Sequence, residues 1–271
     1  MVGLVPSSQI CSFEMKKFRT EYVVMATIVV AAVFCGCMLV RKPTTELSES
    51  LTDHLQLWLR ADKGVFLVDG VVSQWTDQSG KGNHAVAAEG SVMRLEELAE
   101  NAQPAILFNG TSALRIPHAD GLNADGSFTT FIVYKVSSGF RLAQKKDAST
   151  GLTGTAWFVT PQNGMAVSGK SPTKASFETG VLHIQANVFD AELGEIHVYS
   201  NGTEVELVTD VPLQQANEDP VYIGRRNQSP SAGFITGYIA EFIIYDTNLS
   251  ADERCAVEGY LRQKYAINES Q

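Results

Sequence analysis

"GYIAEFIIYDTNLSADERCAVEGYLRQKYAI", residues 237–267, decides the fold. Gly237–Asp246 is apolar at nearly every position, so an extended chain here has two oily faces rather than one. Such a strand belongs in the middle of a sheet covered on both sides. The period then changes. Ser250 and Glu253 have the S-x-x-E spacing of a capping box, in which the serine hydroxyl accepts from an early backbone N–H and the glutamate reaches back. Val257, Tyr260, Leu261 and Tyr265 follow on one helical face. The stretch therefore predicts a buried strand sealed by a terminal helix.

Upstream, short β-rich runs alternate with Gly, Asn, Asp and Ser clusters. The clearest are "LQLWLR" (55–60), "TTFIVYKV" (129–136), "TAWFVT" (155–160), "VLHIQANVF" (181–189), "EIHVYS" (195–200), "EVELV" (204–208) and "VYIG" (221–224). Asn201-Gly202 supplies the two positive φ angles of a type I′ hairpin turn. "RLEELAEN" (94–101) reads as a second, short helix. Many short strands and one closing helix predict an all-β fold, an antiparallel two-sheet sandwich.

A different signal stands at the other end. Tyr22–Val40 carries no charge and is about the length of a bilayer-spanning helix. Lys16, Lys17, Arg19, Arg41 and Lys42 flank it, as interfacial anchors do. Three readings compete: an uncleaved transmembrane signal anchor, a cleaved signal peptide, or a lipoprotein signal in which Gly36 precedes a lipidated Cys37. Residues 1–21 are then a cytoplasmic tail, and Met15 before Lys16 and Lys17 offers an alternative start that would make 1–14 a mis-called extension. Residues 41–53 are a polar linker, 54–267 the folded domain and 268–271 a tail. The domain is expected outside the cytoplasm, periplasmic or at the cell surface.

Composition narrows the classes. At 44% hydrophobic and 19% charged the chain is globular rather than disordered. The net charge of −9, with five basic residues spent on the anchor, argues against nucleic acid as a partner. Only Cys255 lies in the domain, so no disulfide forms within it. His54, His84, His118, His183 and His197 are scattered, without zinc spacing. Asn109, Asn201, Asn227, Asn248 and Asn268 head glycosylation sequons and read more simply as turn residues.

Four pieces carry a resemblance: "LWLRADKGV", "VVSQWTDQSGKGNHA", "FTTFIVYKV" and the closing stretch quoted first. The second matches a W-x-D-x-S-G-x-G-N-x-A loop through Trp75, Asp77, Ser79, Gly80, Gly82, Asn83 and Ala85. Together they resemble bacterial LamG-like jelly rolls of the concanavalin A-like lectin/glucanase superfamily, over residues 54 to 267. The resemblance implies two antiparallel sheets packed face to face. It implies no particular chemistry, since lectins, carbohydrate-binding modules, glycosidases and adhesion modules share the fold.

The loop "QWTDQSGKGNHAV" (74–86) admits three readings. As a turn, Asp77 bonds to backbone N–H groups two residues on, Gly80 and Gly82 take positive φ, Trp75 points inward and His84 outward. As a calcium site, which the resemblance to lectins suggests, Asp77 and Asn83 supply oxygens. As a ligand site, Asn83 and His84 touch a sugar directly. Trp58, Trp75 and Trp157 read as buried strand residues rather than stacking platforms.

Glycosidases of this superfamily need two carboxylates on one strand face. Glu204 and Glu206 have i, i+2 spacing but follow a hairpin tip and read as a solvated edge. Glu241, alone in an apolar strand, is expected to pair with Arg225 or Arg226. No catalytic pair stands out, and the chain is expected not to be an enzyme. The leading expectation is a membrane-anchored binding or adhesion module meeting a glycan or surface protein, with calcium as the possible cofactor. The alternatives are a structural or assembly component of a surface or secretion system, and an unusual glycoside hydrolase.

Overall fold

The computed structural model describes residues 46–146, 156–226 and 233–268. Tyr22–Val40 and Cys37 lie outside the described residues. The strands, in chain order, are β1 (Leu55–Arg60), β2 (Val65–Val68), β3 (Val71–Trp75), β4 (Ala85–Ala87), β5 (Arg94–Glu97), β6 (Pro104–Asn109), β7 (Leu114–Ile116) and β8 (Phe128–Ser138). Then come β9 (Ala143–Lys146), β10 (Ala156–Thr160), β11 (Gly164–Val167), β12 (His183–Asp190), β13 (Glu195–Ser200), β14 (Thr203–Val208), β15 (Val221–Ile223) and β16 (Thr236–Tyr245). Helix α1 (Ala251–Tyr265) closes the domain.

Among the described residues these strands form two eight-stranded sheets, with every pairing antiparallel. The first runs β14-β13-β12-β8-β16-β6-β5, with β1 also against β16. The second runs β11-β10-β9-β15-β7-β4-β3-β2. This is the all-β sandwich with a terminal helix that the sequence predicts. Arg94–Glu97 departs from it: it is a strand, paired with Pro104–Leu107. Pairing at the sheet edge overrides a weak local helical pattern.

The first sheet is covered on both faces, as Gly237–Asp246 required. Ile132, Tyr134, Phe242 and Ile244 pack into the core between the sheets. Phe131, Val133, Ile243 and Tyr245 point the other way and meet Val257, Tyr260, Leu261 and Tyr265 of α1. Leu47 and Leu51 join this helix-side core, so the folded body takes in residues that read as linker. The capping box forms: Glu253 N–H donates to Ser250 Oγ, and Ser250 N–H to Glu253 Oε2 at 2.9 Å. Asn201 and Gly202 have φ of 51° and 93°, as a type I′ turn requires.

A bulge in β16 sets the polarity of the helix side. The register shifts between Ile239 and Glu241, so Ala240 and Glu241 both face α1. Strict alternation would have turned Glu241 into the apolar core between the sheets.

Candidate functional site

Three places gather chemistry-bearing side chains, and they differ in how completely those groups are satisfied. The first is the Asp77 loop. Asp77 Oδ1 accepts from the backbone N–H groups of Trp58 and Ser79, both at 2.9 Å. Its Oδ2 accepts from Ser79 Oγ at 2.7 Å and Asn83 N–H at 3.0 Å. Asn83 Nδ2 donates to the Gln56 carbonyl at 2.7 Å, and Asp77 N–H donates to His84 Nδ1 at 3.1 Å. Gly80 and Gly82 take φ of 85° and 79°. The structure thus brings Asp77, Asn83 and His84 together as the Asx-turn geometry demands, tying the loop to β1. Among the described residues no three His, Cys, Asp or Glu side chains gather into a group that could hold a metal ion.

The second lies under α1. Glu241 is fully buried. Its Oε1 accepts from Trp58 Nε1 at 2.6 Å and Tyr260 Oη at 2.8 Å. Its Oε2 accepts from Lys264 Nζ at 2.7 Å and Tyr265 Oη at 2.9 Å. The cation that pairs with it is Lys264 of the helix, not Arg225 or Arg226, because the bulge aims the carboxylate at α1 while β15 lies in the other sheet. Burial, with the Glu241 charge beside them, pushes the Tyr260 and Tyr265 hydroxyls well up, so both remain donors. Four donors on a carboxylate with no solvent access make a structural clamp rather than a reacting group. Glu204 and Glu206 are equally engaged: Glu204 with His197 at 2.9 Å, Glu206 with the backbone N–H groups of Thr173, Lys174 and Ala175.

The third place is the outer face of the second sheet. The register aligns Phe158 with Gln144, Gln144 with Tyr222, Tyr222 with Arg115, Arg115 with Val86 and Val86 with Gln74. Their neighbours along the strands, among them Trp157, Val221, Leu114 and Trp75, fill the core between the sheets. Alternation therefore turns the row outward. It crosses six strands, about 25 Å at the usual inter-strand spacing. Phe158, Tyr222 and Arg115 are half-buried there, and Phe140 beside them is 57% exposed.

Guanidinium groups stack on these rings. Arg141 Cζ lies 3.8 Å from the Phe158 centroid, Arg225 Cζ 4.2 Å from that of Tyr222, and Arg226 Cζ 5.3 Å from that of Phe140. Arg141 is fixed further by Nε to Gln144 Oε1 at 3.2 Å and Nη1 to the Phe140 carbonyl at 2.9 Å. Flat rings beside planar hydrogen-bonding groups are the equipment for a polar ligand with an apolar face. Sequence reasoning missed this row. The available signal was the alternation in "AWFVT" and "VYIGRR", where an aromatic follows or precedes core residues and arginines cluster at the strand end. The tryptophans hold to expectation: Trp58, Trp75 and Trp157 are all buried.

Two packed antiparallel sheets closed by a terminal helix define a sandwich of the lectin and glucanase kind. The chain belongs to the concanavalin A-like lectin/glucanases superfamily, whose laminin G-type family matches residues 108–253, more than half of its length. No curated protein matches it in sequence. Among solved structures it is similar to domain 4 of an extracellular arabinanase from Geobacillus stearothermophilus, in complex with arabinotriose. That match has 18% identity and a TM-score of 0.54, covering 73% of this chain and 95% of the other. It is similar also to Trypanosoma rangeli sialidase in complex with sialic acid (15% identity, TM-score 0.53, 78% of this chain, 33% of the sialidase). A third likeness is to a chain from botulinum neurotoxin type C, whose cell entry depends on two ganglioside molecules (12% identity, TM-score 0.54, 78% of this chain, 52% of that chain). This chain thus spans a third of the sialidase and about half of the matched neurotoxin chain.

These likenesses overturn the expectation that the chain is not an enzyme. The same fold, over most of this chain, forms part of sialidases and of an arabinanase. That no catalytic carboxylate pair stands out in the sequence is therefore no ground for denying catalysis to a protein of this architecture.

Proposed function

We propose that the domain engages a saccharide on the outer face of the second sheet, across Phe158, Tyr222 and Arg115, with the buried Gln144 between them holding Arg141 in place. The observation that carries this is the in-register row itself: rings and planar polar groups facing outward on a sheet whose other face is core. Family membership supports the ligand class. The arabinotriose complex of the arabinanase domain supports it too, because that domain is matched over nearly its whole length. If Tyr22–Val40 spans a bilayer, the domain stands outside the cytoplasm, where glycans are available.

The test is a glycan array probed with the full chain, with and without calcium, followed by titration of the retained sugars. Tyr222→Ala and Phe158→Ala should each weaken retention with little change in melting temperature. Unchanged retention in both would sink the assignment to this face. A second reading, favoured by the likeness to glycosidases, is that the bound sugar is also cleaved. Incubating each retained oligosaccharide with the chain and measuring new reducing ends decides it: release supports hydrolysis, and intact sugar after prolonged incubation removes it.

A further inference from the structure

The outer face holds its basic groups in an unusual way. Some basic side chains of the domain are held by carboxylates: Arg60 by Glu46 and Asp62, Lys264 by Asp62 and Glu241, Arg254 by Glu258, Lys135 by Glu100. Among the described residues Arg141, Arg225 and Arg226 have no such partner. They are held by aromatic rings instead.

Arg141 and Arg226 lie close enough for their charges to act on each other, Arg225 precedes Arg226 in the chain, and the arrangement carries a cost. The Nε atoms of Arg225 and Arg226 are buried without a hydrogen-bond partner. Burial and the nearby Arg226 charge bring Arg141 down to about 10, which still leaves it charged at neutral pH. Gly233, at φ +81°, lies against the Arg226 stem, where an added Cβ would sit 2.7 Å from Cγ. Like charges gathered in a half-buried place, with donors left over, are unfavourable unless something anionic completes them. Stacking occupies the flat face of a guanidinium and leaves its N–H edges free in the plane, the geometry that grips an oxyanion with two parallel bonds. Beside those edges stands the exposed ring of Phe140.

We propose that Arg141, Arg225 and Arg226 bind the carboxylate or sulfate of an acidic saccharide, with a sugar ring against Phe140. This rests on the reading that the face holds a saccharide, and it names the chemical class. A ring carrying one acid matches the site better than a densely charged polyanion, which the chain's net charge of −9 repels.

The experiment titrates the full chain with an oligogalacturonate, a sulfated galactan oligosaccharide, a neutral galactan oligosaccharide and a single-stranded DNA oligomer. One acidic sugar should bind about tenfold or more tighter than the neutral one, with an affinity that falls as salt rises. The better of the two acids tells carboxylate from sulfate. Arg226→Gln and Arg225→Gln should each remove about tenfold of that acidic binding while sparing neutral binding, and Arg226→Lys should restore only part of it. Phe140→Ala, at an exposed ring, should weaken acidic binding without moving the melting temperature. Acidic and neutral sugars bound alike, with Arg226→Gln silent, would overturn this inference and leave the saccharide reading standing. No sugar bound at all would take both down. DNA bound more tightly than any sugar would replace it with a nucleic-acid site.

Discussion

The two outer faces of the sandwich treat charge in opposite ways. On the helix side a single carboxylate, Glu241, is surrounded by four donors and shut from water. On the far side three guanidiniums stack on aromatic rings, and two of them, Arg225 and Arg226, keep a buried Nε unpaired. A satisfied buried network fixes a fold, because every member is lost when one is removed. An unsatisfied one stores unfavourable free energy that a ligand releases. Substitutions on the helix side should therefore act on stability, and those on the far side on binding.

The sharpest way to break the contrast is Glu241→Ala. It strands Lys264, Trp58 Nε1 and two tyrosine hydroxyls in a dry site, and should cost about 3–5 kcal/mol in urea unfolding. A loss under about 1 kcal/mol would show that water reaches the clamp. Asp77→Ala removes the acceptor of four hydrogen bonds and should cost about 2–3 kcal/mol by the same measurement. Calcium belongs in that experiment. A chelator that lowers the melting temperature of the parent but not of Asp77→Ala would establish the metal at this loop, and a chelator without effect on the parent would dismiss it.

Acid sharpens the same comparison. Burial alone would raise the Asp62 carboxyl, but hydrogen bonds from Arg60 and Lys264 outweigh it and hold it down to about 2. The folded chain thus stays ionised at Asp62 where the unfolded chain takes up a proton. That stabilisation is complete above the ordinary carboxylate range and drains away as pH falls toward 2. Melting temperature followed from pH 6 to pH 2 should fall below about pH 4, and less so in Asp62→Asn. Smaller again is the helix cap: Ser250→Ala should cost about 1 kcal/mol in the same unfolding assay. Tyr222→Ala, on a half-exposed ring, should alter stability by about 0.5 kcal/mol or less while it lowers sugar affinity. A large stability loss there would mean that the far face is structural after all.

The long central strands, the Asn201-Gly202 hairpin and the closing helix were legible because period, turn chemistry and cap all agree within a few residues. Leu55–Arg60 and Glu195–Ser200 match their strands end to end. Three-residue strands such as Ala85–Ala87 and Leu114–Ile116 are too short to show a period. "AQKK" reads as polar, yet Lys145 and Lys146 are buried in β9; Lys145 Nζ finds His118 Nδ1 at 3.0 Å and the Asp219 carbonyl at 2.5 Å, partners remote in sequence. The turn chemistry of Asp77 was readable from its loop alone. The far-side row was not, because Arg141 and Phe158 meet Tyr222 and Arg225 only through strand pairing. The partner of Glu241 was misjudged for a related reason: proximity in sequence favoured Arg225 and Arg226, and the bulge points elsewhere.

That extra residue at Ala240 has a consequence for how the sheet is assembled. One edge of β16 serves two partners end to end, β6 along Thr236–Ile239 and β1 along Glu241–Tyr245, and the Ala240 carbonyl between them accepts from Ala61 N–H at 2.9 Å. The irregularity is thus a joint where two separately arriving segments of chain abut on a common beam. Shortening the beam by that one residue would spoil the fit of both at once.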